Sequence, residues 1–151
     1  MPDDLGALVE VYRDAVLSQA AGRYSDTQIQ AWAHHLERQP GLAAALERGF
    51  GLASLSGGQP ESIEAFALLD PIDRLSLLYC RGRACRQGRG RALLQALEVA
   101  AHQRGVRQLR TEASQLSRPL LERLGWQVEA EETVRFAGVL FVRWRMIKTL
   151  D

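Results

Sequence analysis

The chain has 151 residues, 46% hydrophobic and 25% charged, with a formal net charge of +1. That size and composition describe one globular domain, 1–151, able to bury about two-thirds of its unfolded surface without a metal or disulfide staple. No apolar run approaches the roughly 18 residues of a membrane span, and the acidic start Asp3-Asp4 is unlike a signal peptide's basic flank, so a cytoplasmic protein with no membrane association is expected.

Charge is split along the chain. Residues 1–70 carry 4 Arg against 10 Asp and Glu, a net −6, while residues 71–151 carry 15 Arg and Lys against 8 acids, a net +7. Cys80 and Cys85 are too few for a zinc site or a disulfide framework, and no bound metal is expected.

In chain order, Asp3 or Asp4 can cap a helix whose apolar positions Leu5, Leu8, Val9, Tyr12, Ala15 and Val16 recur at helical spacing as far as about Ala21. Ser25-Asp26-Thr27-Gln28 is a capping box, with Ile29, Trp32, Ala33 and Leu36 as the buried stripe behind it and Pro40-Gly41 as the stop. Residues 42–46 add a turn or two. Residues 50–55 read as a strand. The apolar runs 63–69 and 74–80, separated by Asp70-Pro71-Ile72-Asp73, read as a hairpin.

Between Gly88 and Gly105 the stripe Leu93, Leu94, Leu97 and Ala101 requires a helix, and residues 106–113 return as a strand. Strand, helix, strand implies a right-handed crossover with parallel strands, so the sheet is mixed and the class α/β. A short helix over about 116–124 follows. A terminal hairpin over 126–147 breaks at Gly138 and sets Leu140, Val142, Trp144 and Met146 on one face.

The segment able to carry chemistry runs from Leu77 to Leu94, where a strand enters a glycine-containing loop that opens a helix. Helix N-termini offer unpaired N–H groups and the positive end of the macrodipole, so a phosphate binds there without any side chain. Gly88 and Gly90 let the backbone come close. No Gly-Lys-Ser/Thr follows, which excludes a Walker loop, and Leu93 occupies the third glycine of a dinucleotide fingerprint. The loop reads as a pyrophosphate loop of another kind.

These residues resemble the GNAT superfamily of acyl-CoA-dependent N-acetyltransferases. Leu78-Tyr79-Cys80 takes the place of that family's Leu-x-Val strand end, and Gly88-Arg89-Gly90-Arg91-Ala92 that of its Q/R-x-x-G-x-G/A helix opening. Residues 114–126 are similar to its N-x-x-A-x-x-L-Y-x-x-x-G-F helix. The resemblance implies a mostly antiparallel twisted sheet with helices on both faces, and acetyl-CoA as cofactor. Backbone groups of Leu78, Tyr79 and Cys80 would pair with pantetheine, and the amides of Cys85, Arg86, Gln87, Gly88, Arg89, Gly90 and Arg91 would hold the pyrophosphate. Ser114 would touch the cofactor where the family has asparagine. Tyr79 and Ser114 are the catalytic candidates, and Tyr24 and Trp32 would wall the acceptor site.

The departures matter as well. The loop begins on Cys85 instead of Gln or Arg, and Gly82 stands where proline is common. Leu121 replaces the tyrosine that often serves as general acid, and Ser76 an aspartate that often serves as base. The family's first strand is missing, which leaves the next strand an open edge and makes a homodimer an expectation. The partner implied is a small-molecule or peptide amine, with the acidic N-terminal half favouring a cationic acceptor such as a polyamine or aminoglycoside. Two other readings stand beside this one. The first is an acyl-CoA-binding protein with little catalysis, suggested by the missing tyrosine and aspartate. The second is a nucleic-acid binder built on the arginine loop, against which stands the lack of an aromatic platform.

Overall fold

The computed structural model describes residues 5–151, so the cap expected at Asp3 or Asp4 lies outside the described residues. Helix α1 (Leu5–Gln19) buries Leu8, Val11, Tyr12, Ala15 and Val16, a single face at helical spacing. Helix α2 (Asp26–Ala33) begins at the expected capping box, in which Ser25 Oγ accepts the Gln28 N–H and Gln28 Oε1 accepts the Ser25 N–H. It ends sooner than the proline stop, and a 3-10 turn over Leu36–Arg38 leads into α3 (Leu42–Arg48), the short helix expected over 42–46 carried on to Arg48.

Strands β1 (Phe50–Leu55), β2 (Ile63–Leu69) and β3 (Arg74–Cys80) keep the bounds read from the sequence, and the turn between β2 and β3 carries a cis Asp70–Pro71 peptide. Helix α4 (Arg89–Gln103), β4 (Gln108–Ala113), α5 (Arg118–Arg123), β5 (Gln127–Phe136) and β6 (Val139–Thr149) complete the order.

One six-stranded sheet runs β1-β2-β3-β4-β6-β5, and only the β3/β4 pair is parallel. Helices cover both faces. Alternation along β2, buried throughout, divides the core: Phe66 and Leu68 join α1, α2 and α3, whereas Ala65, Ala67 and Leu69 join α4 and α5. Each of those leucines contributes about 1.5–3 kcal/mol by burial. Among the described residues no strand precedes α1, and β1 pairs only with β2.

The last strand sets Leu140, Val142, Trp144 and Met146 on one face, but that face is unevenly covered. Met146 is buried and Trp144 packs beside it on the α4–α5 side, but Leu140 and Val142 are 54% and 39% exposed. They lie past the end of that helical layer. The opposite face of the same stretch is the covered one, through Phe141 against the α1–α2 core.

Folding also pairs the two halves of the charge split. Arg83 on the basic side bonds Glu64 at 2.8 Å, and Arg81 lies 3.9 Å from both Glu10 and Asp14. Arg83 holds the Glu64 carboxyl below the usual carboxylate range, with a further bond from Ser62. No described helix is long and apolar enough to cross a membrane.

Candidate functional site

The centre of the molecule is a gap in the sheet. Strands β3 and β4 pair at Arg74 with Arg110 and at Leu75 with Thr111, where Thr111 Oγ1 donates to the Leu75 carbonyl at 2.7 Å, and then diverge. The divergence opens a cavity of about 160 Å³ whose wall includes Leu78, Tyr79, Cys80, Gly90, Ser117 and Leu120. Backbone beyond Leu75 on this side has lost its parallel partner, so an inserted extended chain can pair with it. One carbonyl is already taken: Gln19 Nε2 donates to the Cys80 oxygen at 2.8 Å.

The loop after β3 is pinned to α1. Asp14 Oδ1 accepts the Gly82 N–H at 2.8 Å, and a Cβ at position 82 would lie 2.6 Å from Ser18 Cβ. That leaves no room for the proline common at this place in the family. The Cys85 amide donates to the Gly82 carbonyl at 3.4 Å, so Cys85 does not offer the free N–H expected of it. From Arg86 to Arg91 the six amides have no acceptor among the described residues. Arg86 and Gly88 both take left-handed backbone, φ 64° and 81°, the alternation that turns successive N–H groups into an anion-binding nest at the start of α4. The two glycines do different work. Gly88 supplies the positive φ in open space, whereas a Cβ at Gly90 would stand 3.1 Å from Leu120 Cδ2, so Gly90 lets α4 close on α5.

Not all the arginines are free for an anion. Arg81 and Arg83 serve Glu10, Asp14 and Glu64, and Arg89 is anchored to β1 through Ser54 Oγ at 2.7 Å and the Leu55 carbonyl at 3.1 Å. Among the described residues, Arg86 and Arg91 make no side-chain bond. Burial pushes the Cys80 thiol up to about 11, with Cys85 adding to the shift, which disfavours the thiolate form.

A second cavity, about 410 Å³, opens on the α1–α2 face and is lined in part by Tyr12, Tyr24, Phe136, Phe141, Arg74 and Arg143. The two cavities meet at Trp32, Ser76, Leu77, Tyr79, Glu112 and Ser114, which line both. Trp32 Nε1 donates to Tyr79 Oη at 3.3 Å, and burial pushes the Tyr79 phenol up to about 12 against that bond. Tyr79 therefore keeps its proton at neutral pH and has it available to donate. The Tyr12 ring lies 4.5 Å from the Tyr79 ring, its buried hydroxyl has no partner, and burial moves it far above the ordinary tyrosine range. Glu112 is gripped by Arg74, whose Nη2 and Nε reach Oε1 at 2.7 and 3.1 Å.

The sequence reading located the loop and the strand end, and the structure brings Leu78, Tyr79, Cys80 and Ser114 to one cavity. It gives Ser114 and Tyr24 structural duties as well. Ser114 Oγ accepts the amides of Leu116 and Ser117 at 3.1 and 3.2 Å, and Tyr24 Oη accepts the Gln115 N–H at 2.9 Å, so both cap the entry to α5. Trp32 is core and cavity wall together. Glu112 was missed, although it is the one acid in its strand. Leu121, where the family has tyrosine, is fully buried and brings no hydroxyl to the gap.

The acetyltransferase (GNAT) domain family matches residues 20–148. Among solved structures, a GCN5-related N-acetyltransferase (aminotransferase, class-II) from Rhodopseudomonas palustris is 26% identical, with a TM-score of 0.90 over 99% of this chain and 92% of its own. The PaiA N-acetyltransferase of Thermoplasma acidophilum, in complex with coenzyme A, is 19% identical with a TM-score of 0.79, covering 98% and 94%. The ribosomal-protein-S18-alanine N-acetyltransferase of Escherichia coli is 21% identical with a TM-score of 0.65, covering 99% and 89%. These last two share the fold. No curated protein matches the chain.

Proposed function

The chain belongs to the GNAT acetyltransferase family and is an acetyltransferase that uses acetyl-CoA, and from that premise we propose that it acetylates a primary amine of a small molecule or peptide by direct attack in a ternary complex. The observation that carries the proposal is the junction of two cavities. One lies in the β3/β4 gap and reaches the start of α4 at Gly90, the other is an aromatic chamber, and they share Tyr79 and Glu112.

The residues present fit coenzyme A. The amides of residues 86–91, with the Arg86 and Arg91 side chains, would hold its pyrophosphate, and the unpaired edges of β3 and β4 would hold pantetheine. Acetyl-CoA supplies an acyl group activated as a thioester, so that one N–C bond replaces one C–S bond, one proton leaves the amine and one reaches the sulfur. Glu112, oriented by Arg74, accepts the amine proton, directly or through one water. Tyr79 donates a hydrogen bond where negative charge develops. With its phenol near 12 it holds its proton more firmly than a thiol, ordinarily near 8.5, so it stabilises departing charge without giving the proton away, and the proton that reaches the sulfur is drawn from solvent, to which Glu112 returns the one taken from the amine. Trp32 fixes that hydroxyl by donating to it.

Thermal unfolding with acetyl-CoA, desulfo-CoA or a nucleic acid tests the cofactor. A ligand at 100 times its Kd adds about 2.7 kcal/mol, roughly 8 °C for a chain of this size. Both CoA forms should raise the Tm and nucleic acid should not. Absence of a CoA-specific rise overturns the reading. Thiol release with an amine panel then tests catalysis, and Glu112→Gln should lower kcat about 100- to 10,000-fold. CoA binding without turnover of any amine would favour an acyl-CoA-binding protein, the outcome to which the buried Leu121 points.

A further inference from the structure

The larger cavity is informative about what enters it, provided it is the acceptor chamber of the proposed acetyltransferase. Its carboxylates are not available to a polycation. Asp70 is held by Arg48 through Nε at 3.1 Å and Nη2 at 2.9 Å, and Glu112 is held by Arg74. A third arginine on the wall, Arg143, donates through Nε to Glu132 at 2.8 Å. Each of the three wall arginines is paired with one carboxylate, so neither acid of the wall, Asp70 or Glu112, is left unpaired to draw a polycation, the reverse of what the acidic N-terminal half suggests.

The arginines retain donors. Among the described residues, Arg48 and Arg74 each engage one edge and leave Nη1 without a partner, and Arg143 leaves both terminal nitrogens so. Planar guanidinium edges facing a cavity match a carboxylate. Opposite them stands an aromatic cluster, with the Trp32 ring 5.2 Å from Tyr24 and 6.2 Å from Phe141, and Phe136 5.5 Å from Phe141. A volume of about 410 Å³ with one apolar wall and a few convergent polar groups suits a small amphipathic ligand.

We propose that the acceptor is a monoamine that carries both a carboxylate and an aromatic or bulky apolar body, the class of the large apolar α-amino acids. The body packs on Trp32, Phe136 and Phe141, the carboxylate meets the free edges of Arg74, Arg48 and Arg143, and the amine lies toward Glu112 at the junction. Bond changes and proton transfers are those of the acetyl transfer given above. Polyamines and aminoglycosides, unlike a monoamine that needs only Glu112, would have to displace arginine from Asp70 as well to pair a second ammonium group, so they are disfavoured.

Matched acceptors provide the test. L-Phenylalanine and L-tryptophan are compared with phenethylamine and tryptamine, which lack only the carboxylate, and with spermidine, by kcat/KM for thiol release. The amino acids should exceed their decarboxylated partners by about 10- to 100-fold, the worth of a hydrogen-bonded charge. Arg143→Gln should cut that ratio by a similar factor, and the more exposed Arg48→Gln provides a second variant should the first fold poorly. Calorimetric titration of the full chain with L-phenylalanine, with and without CoA, reads the chamber independently of turnover. Equal or better use of the decarboxylated amines, preference for spermidine, an unchanged ratio in both variants, or no saturable amino-acid binding in either state overturns the proposal. Failure of acetyl-CoA to bind defeats the acetyltransferase reading instead, because the titration without CoA still reports on the chamber.

Discussion

Gly82 shows how closely the cofactor loop depends on α1. Its replacement by alanine would set a Cβ 2.6 Å from Ser18 Cβ and 2.5 Å from Ser18 Oγ, distances real Cβ atoms do not adopt, so the loop or the last turn of α1 has to move. Overpacking of this kind costs about 1–3 kcal/mol. Movement also stretches the Asp14 bond to the Gly82 N–H, which adds about 1 kcal/mol because Asp14 is 40% exposed and partly screened. Together the loss is about 2–4 kcal/mol. With about 2.1 cal/mol/K of unfolding entropy per residue, that lowers the Tm by about 6–12 °C.

Position 82 lies two residues beyond the end of β3, and Gln19 holds the Cys80 carbonyl from α1, so acetyl-CoA affinity should fall with stability. Thermal denaturation and calorimetric titration of Gly82→Ala, Ser18→Gly and the double variant form a cycle. Ser18→Gly removes the colliding carbon and should recover most of the loss. The reasoning fails if Gly82→Ala melts within 1–2 °C of the parent, a span taken as about 0.5 kcal/mol, or if Ser18→Gly brings no recovery.

Three further outcomes follow from the same geometry. Tyr24→Phe leaves the Gln115 N–H without its acceptor and should cost about 1–3 kcal/mol, visible as a Tm lower by about 3–9 °C; an unchanged Tm would show that the amide finds another partner. Arg91→Gln should weaken acetyl-CoA about 3- to 10-fold at low salt, and less at high salt, with little change in Tm, whereas Arg83→Gln should lower the Tm because it leaves the buried Glu64 with Ser62 alone. The Tyr79 phenol is raised from 10 to about 12, so below pH 10 folded and unfolded chains both keep the proton and its contribution is constant. Between pH 10 and 12 only the unfolded chain ionises, and stability should fall by up to about 2.7 kcal/mol. Tyr79→Phe should remove one proton's worth of slope from denaturant-derived stability in that window.

Much of this protein was legible in its sequence because the signals are local. The capping box at Ser25, the stripe from Leu93 to Ala101, the β2–β3 hairpin and the glycine loop each depend on neighbours within a few residues, where side-chain period and backbone preference act directly. The α/β class and the resemblance to the acetyltransferase family followed from their order. Leu140 and Val142 mark where that logic stops: alternation fixes which face a residue takes, but only the extent of the layer above decides whether the face is covered.

What the tertiary structure alone decided are encounters between segments far apart in the chain. Divergence of β3 from β4 after Leu75, the grip of Arg74 on Glu112, and the meeting of Trp32 with Tyr79 join residues 36 to 47 positions apart. No period encodes such distances. The charge split gave the plainest case, since Asp70 and Glu64, two of the acids that promised a cationic acceptor, are bound by Arg48 and Arg83. Net charge is a sum over the sequence, whereas the field inside a cavity depends on which charges lie within a few ångströms of one another.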